Sequence, residues 1–217
     1  PDWSRLLAYG RASLTADERH FLDHDVERLC ELVNDWETQQ AQDLPPQAWA
    51  YMKAQGFLGM IIPKQYGGKQ FSAYMHSQVV MKLSSRCSAL AVSVMVPNSL
   101  GPAELLLHYG TEEQKQKYLP KLCSGEWIGA FALTEPNAGT DASGQQTVAV
   151  DAGDHWVLNG SKIFITNAGV ADVFFVLAMT DKSQGTKGIS AFIIEKLSHE
   201  SVPGTNSPKN LTSIPNA

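Results

Sequence analysis

The chain has 217 residues, 43% of them hydrophobic, with 17 basic and 22 acidic side chains and a net charge of −5. That apolar content supports one or two globular domains with real cores and excludes a disordered chain. Its scattered Lys and Arg side chains and negative balance offer no field that a polyanion would follow, so no nucleic-acid partner is expected.

The longest apolar stretch, Leu90 to Pro97, falls far short of the roughly 20 residues of a membrane helix, so no span is expected. The chain opens with Pro1 and Asp2 and reads as a piece of something longer. Cys30, Cys87 and Cys123 are odd in number and far apart, which predicts reduced thiols. The expected setting is cytoplasmic, with membrane association of an intact parent left open.

The first 128 or so residues read as helices. Thr15 and Glu18 form a capping-box pattern, after which Leu22, Val26, Leu29, Val33 and Trp36 predict one apolar helical stripe. Pro45 and Pro46 suit the first turn of a helix carrying Trp49, Met52 and Lys53 and ending near Gly56. A short apolar run from Leu58 to Ile62 leads into Pro63 and the turn Tyr66-Gly67-Gly68. Further helices are predicted over Ser72 to Ser84 and Ala89 to Val96, the latter closed by Pro97. Thr111 and Gln114 form a second capping box, opening a short helix that ends before Pro120.

From Glu126 onward the pattern is that of strands: Trp127 to Thr134, Thr147 to Val150, His155 to Leu158, Lys162 to Thr166, Val173 to Met179 and Ile189 to Glu195. Asn159-Gly160 is the strongest hairpin signal, since a type I′ turn needs positive φ at both central positions. Helices followed by antiparallel strands predict an α+β fold, with a helical domain over 1–128 and a β-domain over 129–197. The final residues, 198–217, are poor in apolar side chains and are expected to be a disordered tail.

No G-x-G occurs among the 17 glycines, and neither the P-loop nor G-x-S-x-G is present, which weakens nicotinamide, nucleotide-hydrolysis and serine-hydrolase readings. His20 and His24 share a helix face at i and i+4 but lack H-E-x-x-H and a third ligand, so a solvated face is preferred and no metal is expected. The segment Phe131 to Gly144 reads as a strand running into a loop of hydroxyls and small residues that let backbone N–H groups approach a ligand. An ordinary strand-to-loop connection explains it equally well. In Lys162 to Asn167, strand alternation would set Phe164 and Thr166 on one face, as a flat heterocycle such as an isoalloxazine requires. A plain core strand has the same pattern.

The motifs L-T-E-P-N-A-G-T-D-x-x-G, N-G-S-K-I-F-I-T-N and G-I-S-A-F-I-I-E, in this order and spacing, resemble the acyl-CoA dehydrogenase family. G-T-E-E-Q-K-Q-K-Y-L-P-K-L-C-S-G-E and I-P-K-Q-Y-G-G resemble that family's helical domain, and the likeness covers residues 14 to 196. L-P-P-Q-A-W-A-Y and V-P-N-S-L-G-P-A-E-L-L-L-H-Y-G-T look most like the large bacterial fatty-acid enzymes, whereas the strand region looks like butyryl-type enzymes. The acyl chain-length preference stays open.

The resemblance implies an FAD enzyme in which a carboxylate takes the α-proton of an acyl thioester while hydride leaves the β-carbon for the flavin. It places Phe131, Leu133 and Thr134 at the flavin ring edge, and Gly139 and Thr140 near the pyrophosphate and the substrate thioester arm. Phe164, where many relatives carry Trp, would pack on the ring; Ile165 would adjoin the cofactor and Thr166 would donate near its reactive nitrogen. The family's C-terminal helical bundle, with the catalytic glutamate, has no counterpart here, so no catalytic base is assigned and Glu135 is not a candidate. Acyl-CoA, an electron-transfer flavoprotein and further copies of the intact chain are the implied partners. The competing readings are a same-fold flavoenzyme such as an acyl-CoA oxidase, and a non-catalytic binding or assembly module.

Overall fold

The computed structural model describes residues 12–196 together with 3–4, 8 and 211–213. Among the described residues, the α-helices bounded at both ends that precede the sheet are α1 (Ala16–His20), α2 (Val26–Glu31), α3 (Asp35–Ala41), α4 (Pro46–Ala54), α5 (Ala73–Ser84), α6 (Ser88–Met95), α7 (Pro102–Tyr109) and α8 (Glu112–Ser124). Both capping boxes form: the Thr15 and Thr111 hydroxyls accept the third helical N–H, and Glu18 and Gln114 reach back to the cap amide.

A π-helical turn, Phe21–Asp25, joins α1 to α2 and keeps Phe21, Val26 and Leu29 on the core side. Trp36 departs from the expected stripe. Asn34 caps a new helix, and Trp36 is 69% exposed on α3.

Two prolines also act otherwise than expected. Pro97 lies inside a second π turn, Val96–Leu100, instead of stopping the helix, and Pro120 sits within α8, which runs on to Gly125 in the left-handed conformation. Burial of Leu119, Leu122 and Cys123 outweighs the hydrogen bond that Pro120 cannot donate. The run Ser88–Tyr109, with a mean hydropathy of 1.4, is long and apolar enough to cross a membrane by composition. It breaks, however, at the extended Gly101, and about 47% of its most apolar window is buried in the protein, as in a core helix pair.

Asn98, on the second π turn, is 1% exposed and fully used. Its Oδ1 accepts from the Met60 amide at 2.7 Å, and its Nδ2 donates to the Phe57 and Val94 carbonyls at 2.7 and 2.8 Å. The apolar segment at 57–62 is thereby pinned to the helix pair by one buried amide.

The strands are β1 (Gly129–Ala132), β2 (Val148–Asp151), β3 (Trp156–Asn159), β4 (Val173–Met179), β5 (Ile189–Glu195) and β6 (Leu211–Ser213). They form one sheet in the order β3-β2-β4-β5-β6, with β1 also on β4. The sheet is mixed and not purely antiparallel, because β1 and β2 both run parallel to β4. A parallel partner requires a long crossover, and the connection from β1 back to β4 carries the loop of interest.

Lys162 to Thr166 is not a strand, a further correction. The Asn159-Gly160 hairpin does not form either, since neither residue has positive φ. Gly160 is needed for close approach: a Cβ there would overlap the Thr147 side chain. The true hairpin turn precedes β3, where Gly153 has φ 95° and Ala152 N–H meets the His155 carbonyl. Most of the expected tail lies outside the described residues, although 211–213 pair with β5.

One apolar cluster fills the helical part. A second joins Ile62, Tyr66, Leu119 and Leu122 to Val173, Phe175 and Ile193. The sheet is thus seated directly on α8, with its β1 end and loops open beside the helices.

Candidate functional site

Leu133 to Gly144 leaves β1 as a tight loop. Glu135 and Ala138 exchange both backbone hydrogen bonds around Pro136-Asn137, at 3.2 and 3.1 Å. Gly139 and Thr140 are exposed, and nothing lies within 4 Å of a Cβ built on Gly139, so the backbone there is open to a ligand. Asp141 accepts from the Ser143 hydroxyl.

Beneath the loop, the Lys162 ammonium donates to the Leu133 carbonyl at 2.9 Å, Glu135 at 2.8 Å and Gln145 at 3.0 Å. The Glu135 carboxylate also accepts from the Gln146 and Thr147 amides, at 2.5 and 3.0 Å. Burial alone would raise this carboxyl, but the ammonium and the two amides hold it at about 2. Glu135 is therefore an ionised, buried structural anchor. Lys162 is the residue sequence reasoning missed; its only signal was a charge inside an apolar run.

The second expected segment is tied to the first by these Lys162 bonds and by one backbone bond, Ile163 N–H to the Thr134 carbonyl at 3.0 Å. Phe164 and Thr166 do not share a strand face. Phe164 instead has φ 55° and is 90% exposed, an outlying conformation for a bulky side chain that holds its ring out from the surface. Asn167 is also left-handed, at φ 68°. Ile165 is half-buried and accepts from the Ala168 amide at 3.1 Å.

Thr166 is exposed on the wall of a cleft of about 570 Å³ between helices and sheet, shared with Trp49, Val92, Val96, Trp127 and Val170. Phe131 is half-buried and packs against the second core cluster, while Leu133 and Thr134 are half-buried at the loop entrance. The expected residues thus fall into a loop group and a 164–166 group, linked through Thr134 and Ile163. His20 and His24 stack at 4.3 Å between centroids, and among the described residues no cluster of three metal-type ligands exists.

Residues 14–126 match the family model for the acyl-CoA dehydrogenase N-terminal domain, and residues 130–214 that for its middle domain. The chain is 48% identical over 178 residues to a short-chain-specific acyl-CoA dehydrogenase of Clostridium acetobutylicum, a match covering 82% of this chain and 45% of that protein. It is similar to butyryl-CoA dehydrogenase from Megasphaera elsdenii, with a TM-score of 0.75 and 36% identity over 90% of this chain and 51% of that one. An FAD complex of PigA has a TM-score of 0.77 and 28% identity, over 95% of this chain and 57% of that one. The chain spans about half the length of the relatives it matches. With both domain models matched in order and the same fold beneath them, the chain belongs to the acyl-CoA dehydrogenase family.

Proposed function

We propose that the whole protein carries out FAD-dependent α,β-dehydrogenation of acyl-CoA thioesters of the fatty-acid β-oxidation type, and that these residues form its flavin-binding part. The observation that carries the reading is Phe164, held at positive φ with its ring 90% exposed beside a loop rich in hydroxyls. Such strain persists only when the surroundings enforce it, and a waiting aromatic face is what a flat cofactor needs.

The donor set fits FAD. Thr134, Thr140 and Thr166 bring hydroxyls, Gly139 leaves the backbone approachable, and the one buried carboxylate of the loop is already neutralised by Lys162. When bound, FAD supplies the hydride acceptor. Phe131, Leu133, Thr134, Phe164, Ile165 and Thr166 would hold the ring, with Gly139 and Thr140 toward the pyrophosphate and Thr140 toward the thioester arm. The apolar walls of the cleft beside Thr166 suit an acyl chain.

With Glu135 fixed in its ion pair, the proton-abstracting carboxylate belongs elsewhere in the whole protein. An electron-transfer flavoprotein as acceptor, assembly with further copies, and a cytoplasmic setting complete the proposal. The buried thiols of Cys30, Cys87 and Cys123 are consistent with a reducing compartment.

The test mixes the whole protein with FAD, an electron-accepting dye and butyryl-, octanoyl- or palmitoyl-CoA, and follows dye reduction. Turnover at ~1 s⁻¹ or faster with one of these supports the reading. No dye reduction with any of them, or peroxide formation in air in its place, overturns it. The 217-residue chain alone is expected to stay inactive, because loss of a positioned base costs ~10² to 10⁴-fold in rate.

A further inference from the structure

The ammonium of Lys162 is surrounded by three acceptors drawn from both ends of the loop: the Leu133 carbonyl where it leaves β1, the Glu135 carboxylate, and the Gln145 amide oxygen where it ends. Its side chain is 11% exposed and that of Glu135 is 5% exposed. Taking both charges out of water is costly, and replacing such a pair by apolar side chains is often neutral or stabilising. Stability alone therefore does not account for a buried pair at this place. One buried polar atom beside it, Gln145 Nε2, lacks a partner, so the cluster is not an optimised core network.

The geometry has a specific consequence at one peptide unit. A trans peptide is planar, with its C=O and N–H antiparallel. Holding the Leu133 carbonyl down onto Lys162 therefore turns the Thr134 N–H away from the cluster, toward the outer side of the loop. The next peptide is fixed in the same way, by the bond from Ile163 N–H to the Thr134 carbonyl. Among the described residues no acceptor takes the Thr134 N–H. Lys162 and Ile163 are adjacent in sequence, so one short segment sets both peptide planes flanking Thr134 and also delivers Phe164.

We infer that Lys162 is a positioning residue, whose ammonium aims the Thr134 amide N–H at the bound cofactor through the Leu133 carbonyl, with Glu135 and Gln145 holding the ammonium in place. The inference rests on the flavin reading above, but it specifies a residue and a donor direction that this reading does not. A donor aimed in advance costs no reorganisation when charge builds on its partner, so it stabilises the reduced ring more than the oxidised one.

Three forms of the 217-residue chain test this: Lys162→Met, Lys162→Arg, and the double variant Glu135→Leu/Lys162→Met, which removes the pair without stranding a charge. Each is followed by amide hydrogen exchange of the peptide covering residues 133–147 without flavin, and by FAD titration. The reduction potential of the bound flavin is then measured at saturating FAD. Both variants lacking the ammonium should show faster exchange confined to this peptide, at least tenfold weaker FAD binding and a more negative potential, with Lys162→Arg restoring part of each.

Should Lys162→Met fail to fold, the double variant and Lys162→Arg carry the test. Unchanged exchange in the folded variants overturns the positioning role even if FAD does not bind. Faster exchange with wild-type FAD affinity and potential reduces Lys162 to a structural part and likewise overturns it. Failure of the unmodified chain to bind FAD, with exchange still controlled by Lys162, would count against the flavin reading and not against control of the loop.

Discussion

Tyr118 on α8 donates its hydroxyl to Glu195 at the end of β5, at 2.7 Å, and the Lys117 ammonium stands 2.6 Å from the same carboxylate oxygen. Helical domain and sheet are thereby joined at a point where Tyr118 is 2% exposed. Burial would raise the Glu195 carboxyl, but Lys117 and Tyr118 together lower it below the usual glutamate range.

Tyr118→Phe keeps the ring in the shared core and deletes only the hydroxyl. The carboxylate keeps Lys117, so a loss of about 1.5–3 kcal/mol is expected, the range for a hydrogen bond to a charged group. Urea unfolding midpoints for the two proteins measure it; equal midpoints would show that the joint contributes nothing.

The depressed Glu135 carboxyl makes the loop acid-sensitive. Its folded value of about 2 lies below the ordinary 4.5, so its contribution is fully present above pH 4.5 and fades as pH falls toward 2. Glu135→Gln should lower stability near pH 6 and flatten its decline between pH 4.5 and about 2. Thermal unfolding of both proteins across that range is the check, and parallel pH profiles would contradict the assignment.

Asn98→Ala would leave the Met60 amide and the Phe57 and Val94 carbonyls buried without their partner. A cost of about 3 kcal/mol or more is expected, since each stranded group carries a desolvation penalty of ~1–3 kcal/mol. Denaturant unfolding gives the value directly. A change below about 1 kcal/mol would mean that water replaces the amide.

Thr166→Val retains the β-branched shape at an exposed position and removes the hydroxyl. Folding should be unaffected while FAD binding weakens by roughly fivefold, the equivalent of ~1 kcal/mol. Flavin titration against unmodified chain decides, and identical affinities would remove Thr166 from the site.

What the sequence made legible was local. Thr15 with Glu18 and Thr111 with Gln114 specify helix starts within four residues, and both caps form. Pro97 and Pro120 misled because tertiary burial around them outweighs a rule about the backbone alone. The 162–166 segment reads as a strand by alternation, yet its Lys162 is drawn to acceptors 17, 27 and 29 residues away, a pairing no local pattern announces. The loop and Phe164 were legible as candidate residues. The left-handed turn that displays Phe164 was not, since a positive φ at an aromatic residue has no signature in composition or period.

The most direct test of the central claim is a fluorescence titration of FAD with the purified 217-residue chain, repeated in the presence of NADH. Saturable quenching at one FAD per chain, unaffected by NADH and weakened by Phe164→Ala, is the expected result. Absence of any saturable FAD signal, or binding of NADH in its place, would contradict the proposal that Thr134, Phe164 and Thr166 form a flavin site.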